Sequence, residues 1–324
     1  MLEQDYAGGH HPELAQLPAV EMLRQVWMQH FYQLEEQVCL CEKRDQPPAS
    51  RLITLSSYDP QARCSAKRNV TWDGYKVHLT ETCDDDTPNL ITNHEMRPST
   101  EPDHDATEVI HDHLVVNGYA PREHFVDQGY MSIDHVVQQA QDGIDLMGAV
   151  PDDNSWQARH GGYDSRQFVV DWDNEQAVCP QGHDSCSWSL AQTRSQRPVV
   201  KIKFRHRDCA PCPALNLCAN NHEKRRTLTI LAPQTLYEAQ QVARQRQQTT
   251  NFKTACHVRA GVEGTVSQAA HALGARRSRY RGMDKTHLQH LGVAAAINLL
   301  RIVNWLDDVP PSKTPQSRFA QLAA

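Results

Sequence analysis

The chain has 324 residues, 39 acidic against 33 basic, for a formal net charge of −6; that length can bury a large core as one domain with an insertion or as two domains. A mean hydropathy of −0.64, with Gln289, His290, Asn298, Arg301 and Asn304 interrupting the longest apolar stretch, excludes a membrane span, and the acidic balance restricts any DNA surface to a local basic patch. The start Met1-Leu2-Glu3-Gln4-Asp5 lacks the basic and apolar runs of a secretory signal, so a cytoplasmic protein is expected, in which ten cysteines point to metal rather than disulfides.

Residues 20 to 32 repeat apolar side chains at helical spacing, and Gln46-Pro47-Pro48-Ala49-Ser50 breaks the pattern. Further on, Tyr75, Val77 and Leu79 alternate with Lys76, His78 and Thr80, predicting a half-buried strand. The acidic turn Asp84-Asp85-Asp86-Thr87-Pro88 then leads to a second strand at Asn89–Thr92, completing a hairpin. Ala106 to Asn117 predicts a helix with Val109, Ile110, Leu114 and Val115 on its apolar face, stopped by Gly118. Next, Glu123-His124-Phe125-Val126-Asp127-Gln128-Gly129-Tyr130 is a short apolar run ending on an acid, with a glycine close behind to free the backbone. A carboxylate at the C-terminal end of a strand lies where ligands bind, so Asp127 is the first candidate for a catalytic metal ligand. A helix over about 132–141 and a strand over 144–150 complete the order β-β-α-β-α-β.

Residues 151 to 227 are polar and hold a cluster of cysteines: Cys179, Cys186, Cys209, Cys212 and Cys218. The Cys209-Ala210-Pro211-Cys212 knuckle brings two thiolates to one metal, and a second pair completes a tetrahedral site, which can fold a segment too polar to fold by burial. Cys179, Cys209, Cys212 and Cys218 are the expected structural Zn²⁺ set, with Cys186 and His183 as substitutes. Beyond the apolar run Leu228–Leu231, a long helical region is expected from Gln234 onward, its later part carrying Arg259 to Thr265. Arg276-Arg277-Ser278-Arg279-Tyr280-Arg281, with Lys285 just beyond, suits phosphate contacts as readily as a solvated charged face. The last helix, Lys285 to Trp305, is expected to bury Leu288, Leu291, Ala295, Leu299 and Ile302 or nearby positions. His111 and His113, two apart on a helix, face different ways and make a poor metal pair.

Gly74-Tyr75-Lys76-Val77-His78-Leu79-Thr80-Glu81-Thr82-Cys83-Asp84, Val126-Asp127-x-Gly129-Tyr130, Arg259-Ala260-Gly261-Val262-Glu263-Gly264-Thr265 and Lys285-Thr286-His287-Leu288-Gln289-His290 together resemble bacterial insertion-sequence transposases of the DDE type, in the group with a Cys-rich insert between the second and third acids. The resemblance runs from about Leu14 to Leu322. It implies an α/β fold: a ribonuclease-H-like, integrase-type mixed sheet with a Cys-rich insertion. It also implies metal-dependent cleavage and strand transfer of DNA, with three acids holding two Mg²⁺ or Mn²⁺ ions, hard cations that take carboxylate oxygens. Asp127 matches the second acid and Glu263 the third, and Arg259, four residues before Glu263, would contact phosphate. DNA contacts are then expected from Arg276, Arg277, Arg279, Arg281 and Lys285, and a homo-oligomer as the assembly.

Two departures from the family pattern are Cys256 where a Tyr often precedes the Arg, and Ala270 and His271 where a basic residue often follows the Glu. A larger departure is the first acid. The family carries it in an Asp-Ser-Thr stretch on the first strand, ahead of the Gly-Tyr-Lys strand, and this sequence has no Asp-Ser-Thr. The expectation is therefore an N-terminally truncated transposase, its core lacking the first strand and inactive as it stands, with Asp59 or Asp84 as the acids to try in the empty place. The alternative is a non-catalytic DNA-binding or assembly module. The expected divisions are 1–70 as a remnant of the preceding helical segment, 71–150 as the first part of the core, 151–227 as the zinc insertion, 228–308 as the second, helical part of the core, and 309–324 as a tail.

Overall fold

The computed structural model describes residues 16–35, 37–41, 54, 56–67, 70–219 and 224–310; the Gln46–Ser50 break and nearly all of the 309–324 tail lie outside the described residues. In chain order its elements are α1 (Pro18–His30), β1 (Phe31–Leu34), β2 (Gln37–Leu40), β3 (Arg63–Lys67), β4 (Val70–Glu81), β5 (Ile91–Pro98), α2 (Asp105–Val116), β6 (Glu123–Phe125), α3 (Ile133–Gln141), β7 (Asp145–Met147), β8 (Val169–Asp171), β9 (Gln176–Val178), β10 (Ser185–Gln192), β11 (Pro198–Phe204), β12 (Thr227–Leu231), α4 (Gln234–Arg246), α5 (Thr250–Cys256), α6 (Gly261–Ala272) and α7 (Met283–Leu306), with short helical turns between some of them. They fall into two compact units, Met1–Tyr119 with Ala260–Ala324, and Ala120–Arg259.

In the first unit the alternation through Tyr75–Thr80 becomes the middle strand of an antiparallel three-stranded sheet, order β3-β4-β5. Helix α2 lays Ala106, Ile110 and Leu114 into a small core and stops where sequence expects. Gly118 takes φ +76, and Tyr119 N–H closes back on Leu114 O at 2.7 Å, a left-handed cap that glycine adopts without Cβ strain. Val115 stays 54% exposed, against expectation. Helix α7 also departs from its expected facing. Leu288, Leu291 and Leu299 are 66%, 48% and 65% exposed, while Thr286, His290, Ala294 and Ile297 are buried. The face α7 turns towards β5 is chosen by polar fit: the Asn298 amide both accepts from Ile91 N–H and donates to Ile91 O, at 2.8 and 2.9 Å. A leucine stripe cannot satisfy that strand end.

A buried ion pair ties the same unit together. Arg301 Nη1 reaches Glu81 Oε2 at 2.8 Å and Asn89 O at 2.6 Å. Thr265 Oγ1 donates to Glu81 and accepts from Arg301, so one carboxylate at the end of β4 holds both α6 and α7. On the strands themselves, burial pushes His78 and His94 down to about 4, and the neighbouring His287, whose ring centroid stands 4.2 Å from that of His94, adds to the effect there. An unfolded histidine charges near 6.5, so below that pH the unfolded chain binds more protons than the fold. Stability is complete above about 6.5 and is lost as pH falls towards 4. His78 alone is expected to cost roughly 2 kcal/mol by pH 5. Urea midpoints at pH 7 and 5 check this, and a His78→Gln variant that keeps the full acid sensitivity would contradict it.

In the second unit β6, α3 and β7 make a parallel β-α-β crossover, shorter at its second strand than the 144–150 run suggests. Val126, Met131, Ile133, Leu146 and Val150 form its core, covered by Leu236, Ala239 and Ala243 of α4. Residues 151–227 are not the coreless segment that their polarity suggests. Phe168, Ala177, Val200, Ile202, Phe204, Leu228, Ile230 and Ala232 are all buried in one cluster. Its frame is the sheet β10-β11-β12, so the apolar run at 228–231 is the third strand of this sheet rather than the start of a new helical region. That helical region is itself broken: α4 ends at Arg246, and the Thr249 hydroxyl caps a separate α5 by accepting Phe252 N–H at 3.2 Å. The strands make small two- and three-stranded sheets.

Candidate functional site

Asp127 stands two residues past the end of the parallel strand β6, after Val126 N–H has made a last bond to Met147 O at 2.8 Å. Its side chain is exposed and accepts Gln128 N–H at 2.9 Å, capping the 3₁₀ turn Gln128–Tyr130. The expected use of Gly129 is not what the fold makes of it: the residue sits inside that turn and is not among the positive-φ glycines. The capping bond on Oδ1 leaves further lone pairs on the carboxylate, so an exposed acid at the C-terminal edge of a parallel pair keeps the capacity to bind a cation.

Glu263 is the third residue of α6 and is exposed. Arg259 is half-buried in a 3₁₀ turn, His257–Ala260, that runs into α6. The four-residue spacing between them therefore crosses a change of helix type and is not the i, i+4 ladder of one α-helix. Asp127 and Glu263 belong to different units, and among the described residues no group of three or more His, Cys, Asp or Glu is arranged to hold a metal ion. Both carboxylates are hard oxygen donors of the kind that Mg²⁺ and Mn²⁺ take. Asp59, a stand-in for the missing acid by sequence, is engaged elsewhere: Oδ1 accepts the Tyr75 hydroxyl at 2.7 Å and Oδ2 accepts Gly282 N–H at 3.1 Å. Burial and that carboxylate push the Tyr75 hydroxyl well above its usual value. His111 is buried and His113 is exposed, so they do not form a pair.

The basic segment has a built backbone. Gly282 N–H rests on Asp59, Met283 N–H on Gln61 Oε1 at 2.8 Å, and the Gln289 amide accepts Arg279 N–H and donates to Arg277 O, each at 2.8 Å. The Ser278 hydroxyl meets Thr286 Oγ1 at 2.7 Å. Against this pinned chain Arg276, Arg277, Arg279, Arg281 and Lys285 are all exposed, and Arg281 lies over the Tyr58 ring at 4.7 Å. Holding the backbone through its own hydrogen bonds leaves the charged heads available to solvent or phosphate. Lys201 and Lys203 of β11 make a smaller basic row, alternating with buried Val200, Ile202 and Phe204.

Cys179, Cys209, Cys212 and Cys218 line one cavity, with His183, Asp208 and Arg226 also on its wall. Cys186 is exposed on β10 and does not line it. His183 N–H donates to Cys179 Sγ at 3.4 Å. Burial pushes the Cys218 thiol up to about 11 and raises Cys209 as well, with the neighbouring cysteines adding to both. The thiols share the cavity without closing to metal-holding geometry. Thiolate sulfur is nevertheless a donor type that Zn²⁺ takes, and four cysteines line this one cavity.

Residues 178–303 match the family model of the transposase DDE domain, which supports a DDE-type transposase. The matched span takes in the four cavity cysteines, Arg259, Glu263 and the basic segment, and Asp127 precedes it. No curated protein and no solved structure matches the chain. Among the described residues no helix is long and apolar enough to cross a membrane.

Proposed function

We propose that this chain is a DDE-type DNA transposase in its descent and binds DNA through Arg276, Arg277, Arg279, Arg281 and Lys285, but does not by itself carry out strand transfer. The observation that carries the reading is the pinned basic segment lying inside the span that matches the transposase domain. Arg259 adds a phosphate contact at the start of α6. The β3-β4-β5 sheet and the β6-α3-β7 crossover are, in this reading, strands of a ribonuclease-H-like core. Asp127 and Glu263 are the second and third acids, carboxylates of the kind that would hold Mg²⁺ or Mn²⁺, a Lewis acid for phosphoryl oxygens. The reading as a non-catalytic DNA-binding and assembly module is favoured by one observation, the absence of an Asp-Ser-Thr stretch. The outward Leu288, Leu291 and Leu299 of α7 support a homo-oligomer.

Duplex DNA in a fluorescence anisotropy titration is expected to bind, and to bind more weakly as salt rises; no binding at low salt would sink the DNA reading. The cysteine cavity is read as a structural zinc site of about one ion per chain. It orders the Leu215–Cys218 turn beside a sheet that already has an apolar core, so chelation is expected to loosen that wall rather than unfold the unit. Metal analysis of protein purified without chelator tests this, and a zinc content near zero would remove it.

A further inference from the structure

We infer that the outer face of the β10-β11-β12 sheet is a second phosphate-binding surface, one that takes the backbone of duplex DNA; the inference rests on the DNA reading above and adds a surface outside the Arg276 to Arg281 segment. The antiparallel register puts Ser187, Lys203 and Thr227 on one rung across the three strands, and Ser189, Lys201 and Thr229 on another. The rung between them, Trp188, Ile202 and Leu228, turns the other way and packs into the apolar cluster. Period-two alternation by itself accounts for a polar outer face, but not for its composition. In a chain with 39 acids against 33 bases, each of these lysines has a hydroxyl residue on both sides and no acid on its rung, although a carboxylate opposite it would stabilise the sheet.

The positive row runs on past the strands. Phe204 N–H bonds Arg226 O at 3.1 Å, Arg226 itself is buried, and the next residue on either side, Arg205 and Arg225, is exposed. The first acid after β11, Asp208, pairs with Arg207 at 3.5 Å. At its other end the face is closed: Val199 is buried, Leu231 packs against the core of the β6-α3-β7 crossover, and Arg197 pairs with Asp134 at 2.7 Å. The open part of the sheet is therefore its cationic part. Lys201 and Lys203, two residues apart on one strand, stand about 7 Å apart along it, a repeat close to that of successive phosphates on a nucleic-acid strand. Serine and threonine hydroxyls beside an ammonium are further donors for phosphate oxygens. Neither rung carries an aromatic residue on which unpaired bases could stack, which favours the duplex backbone over a single strand.

The test follows duplex binding by the full chain across a salt series, on two unrelated sequences of equal length. Lys201→Gln with Lys203→Gln keeps the side-chain reach and removes two charges. Each phosphate contact is worth roughly 0.9 in the slope of log K against log salt, so the slope is expected to flatten by about 1.8 on both sequences. The five cations from Arg276 to Lys285 can supply up to about 4.5 on the same scale, which makes the sheet the smaller of the two surfaces. Lys253→Gln with Arg159→Gln removes the same charge from exposed positions elsewhere in the same unit and is expected to leave the slope nearly unchanged. If the lysine pair leaves the slope as it was, flattens it no more than this control pair does, or flattens it on one sequence only, the sheet inference is overturned, while the DNA reading still stands on the arginine segment. If wild type binds no duplex at low salt, both fall.

Discussion

Strand transfer by the purified chain on a matching element end is expected to be undetectable, and Asp127→Asn to change nothing in that assay. The chemistry calls for three acids from separate elements, so that both the attacking and the leaving oxygen at phosphorus meet a metal. Asp127 stands two residues past β6 and Glu263 in the first turn of α6, and the proposed reading has no acid for the bridging place. Asp59, the nearest substitute by sequence, has both carboxylate oxygens engaged with Tyr75 and Gly282, and moving it would release the clasp under the basic segment. Groups that act as a unit lose their effect together, so the deficit is many orders of magnitude rather than a few-fold. Cleavage that Asp127→Asn abolishes would overturn this and would send the search for the first acid to Asp84.

Arg301→Ala is expected to destabilise the unit that contains it by roughly 3 kcal/mol, the usual cost of leaving a buried charge without its partner. Glu81 has only 7% of its side chain exposed, and once Arg301 is gone it keeps the Thr265 hydroxyl as a donor but has lost its counter-charge. Because Thr265 lies two residues after Glu263, the loss should also free the start of α6. The paired change Glu81→Leu with Arg301→Met is expected to recover most of the stability, since apolar residues of similar volume often replace a buried ion pair without penalty. Urea unfolding, followed in its first transition because the two units need not melt together, separates the cases. A single Arg301→Ala variant with an unchanged midpoint would contradict the account.

The sequence made legible what rests on local rules. The alternation at Tyr75–Thr80, the Gly118 stop and the acid after the Phe125-Val126 run each appear in the structure at or within a few residues of the expected place. What it concealed depends on partners distant in sequence. Phe31 and Tyr32 continue the helical spacing of α1, yet the chain turns at Glu35 with φ 55 and pairs β1 with β2. The leucines of α7 are in phase with one another, but the hydrogen bonds that Asn298 and Arg301 make to β4, β5 and the turn between them decide which face is buried. In the insert, Val200, Ile202 and Phe204 alternate with Lys201, Lys203 and Arg205, a strand signal present all along and overshadowed by the cysteines. The candidate acids and arginines were readable as residues; their surroundings were not. Nothing in the order of residues shows that Asp59 is spoken for or that Arg226 is buried while Arg225 is not.

The central claim is that the pinned basic segment is the DNA surface, and the salt dependence of duplex binding tests it most directly. Each phosphate contact contributes roughly 0.9 to the slope of log K against log salt. Replacing Arg276, Arg277, Arg279 and Arg281 by Ala is therefore expected to weaken binding at low salt and to flatten the slope by up to about 3.6. A variant with Lys201 and Lys203 replaced by Ala is expected to keep most of the wild-type slope. If the arginine variant keeps the wild-type slope and the lysine variant loses it, the DNA surface lies on the β10-β11-β12 sheet and the account is wrong about its central element.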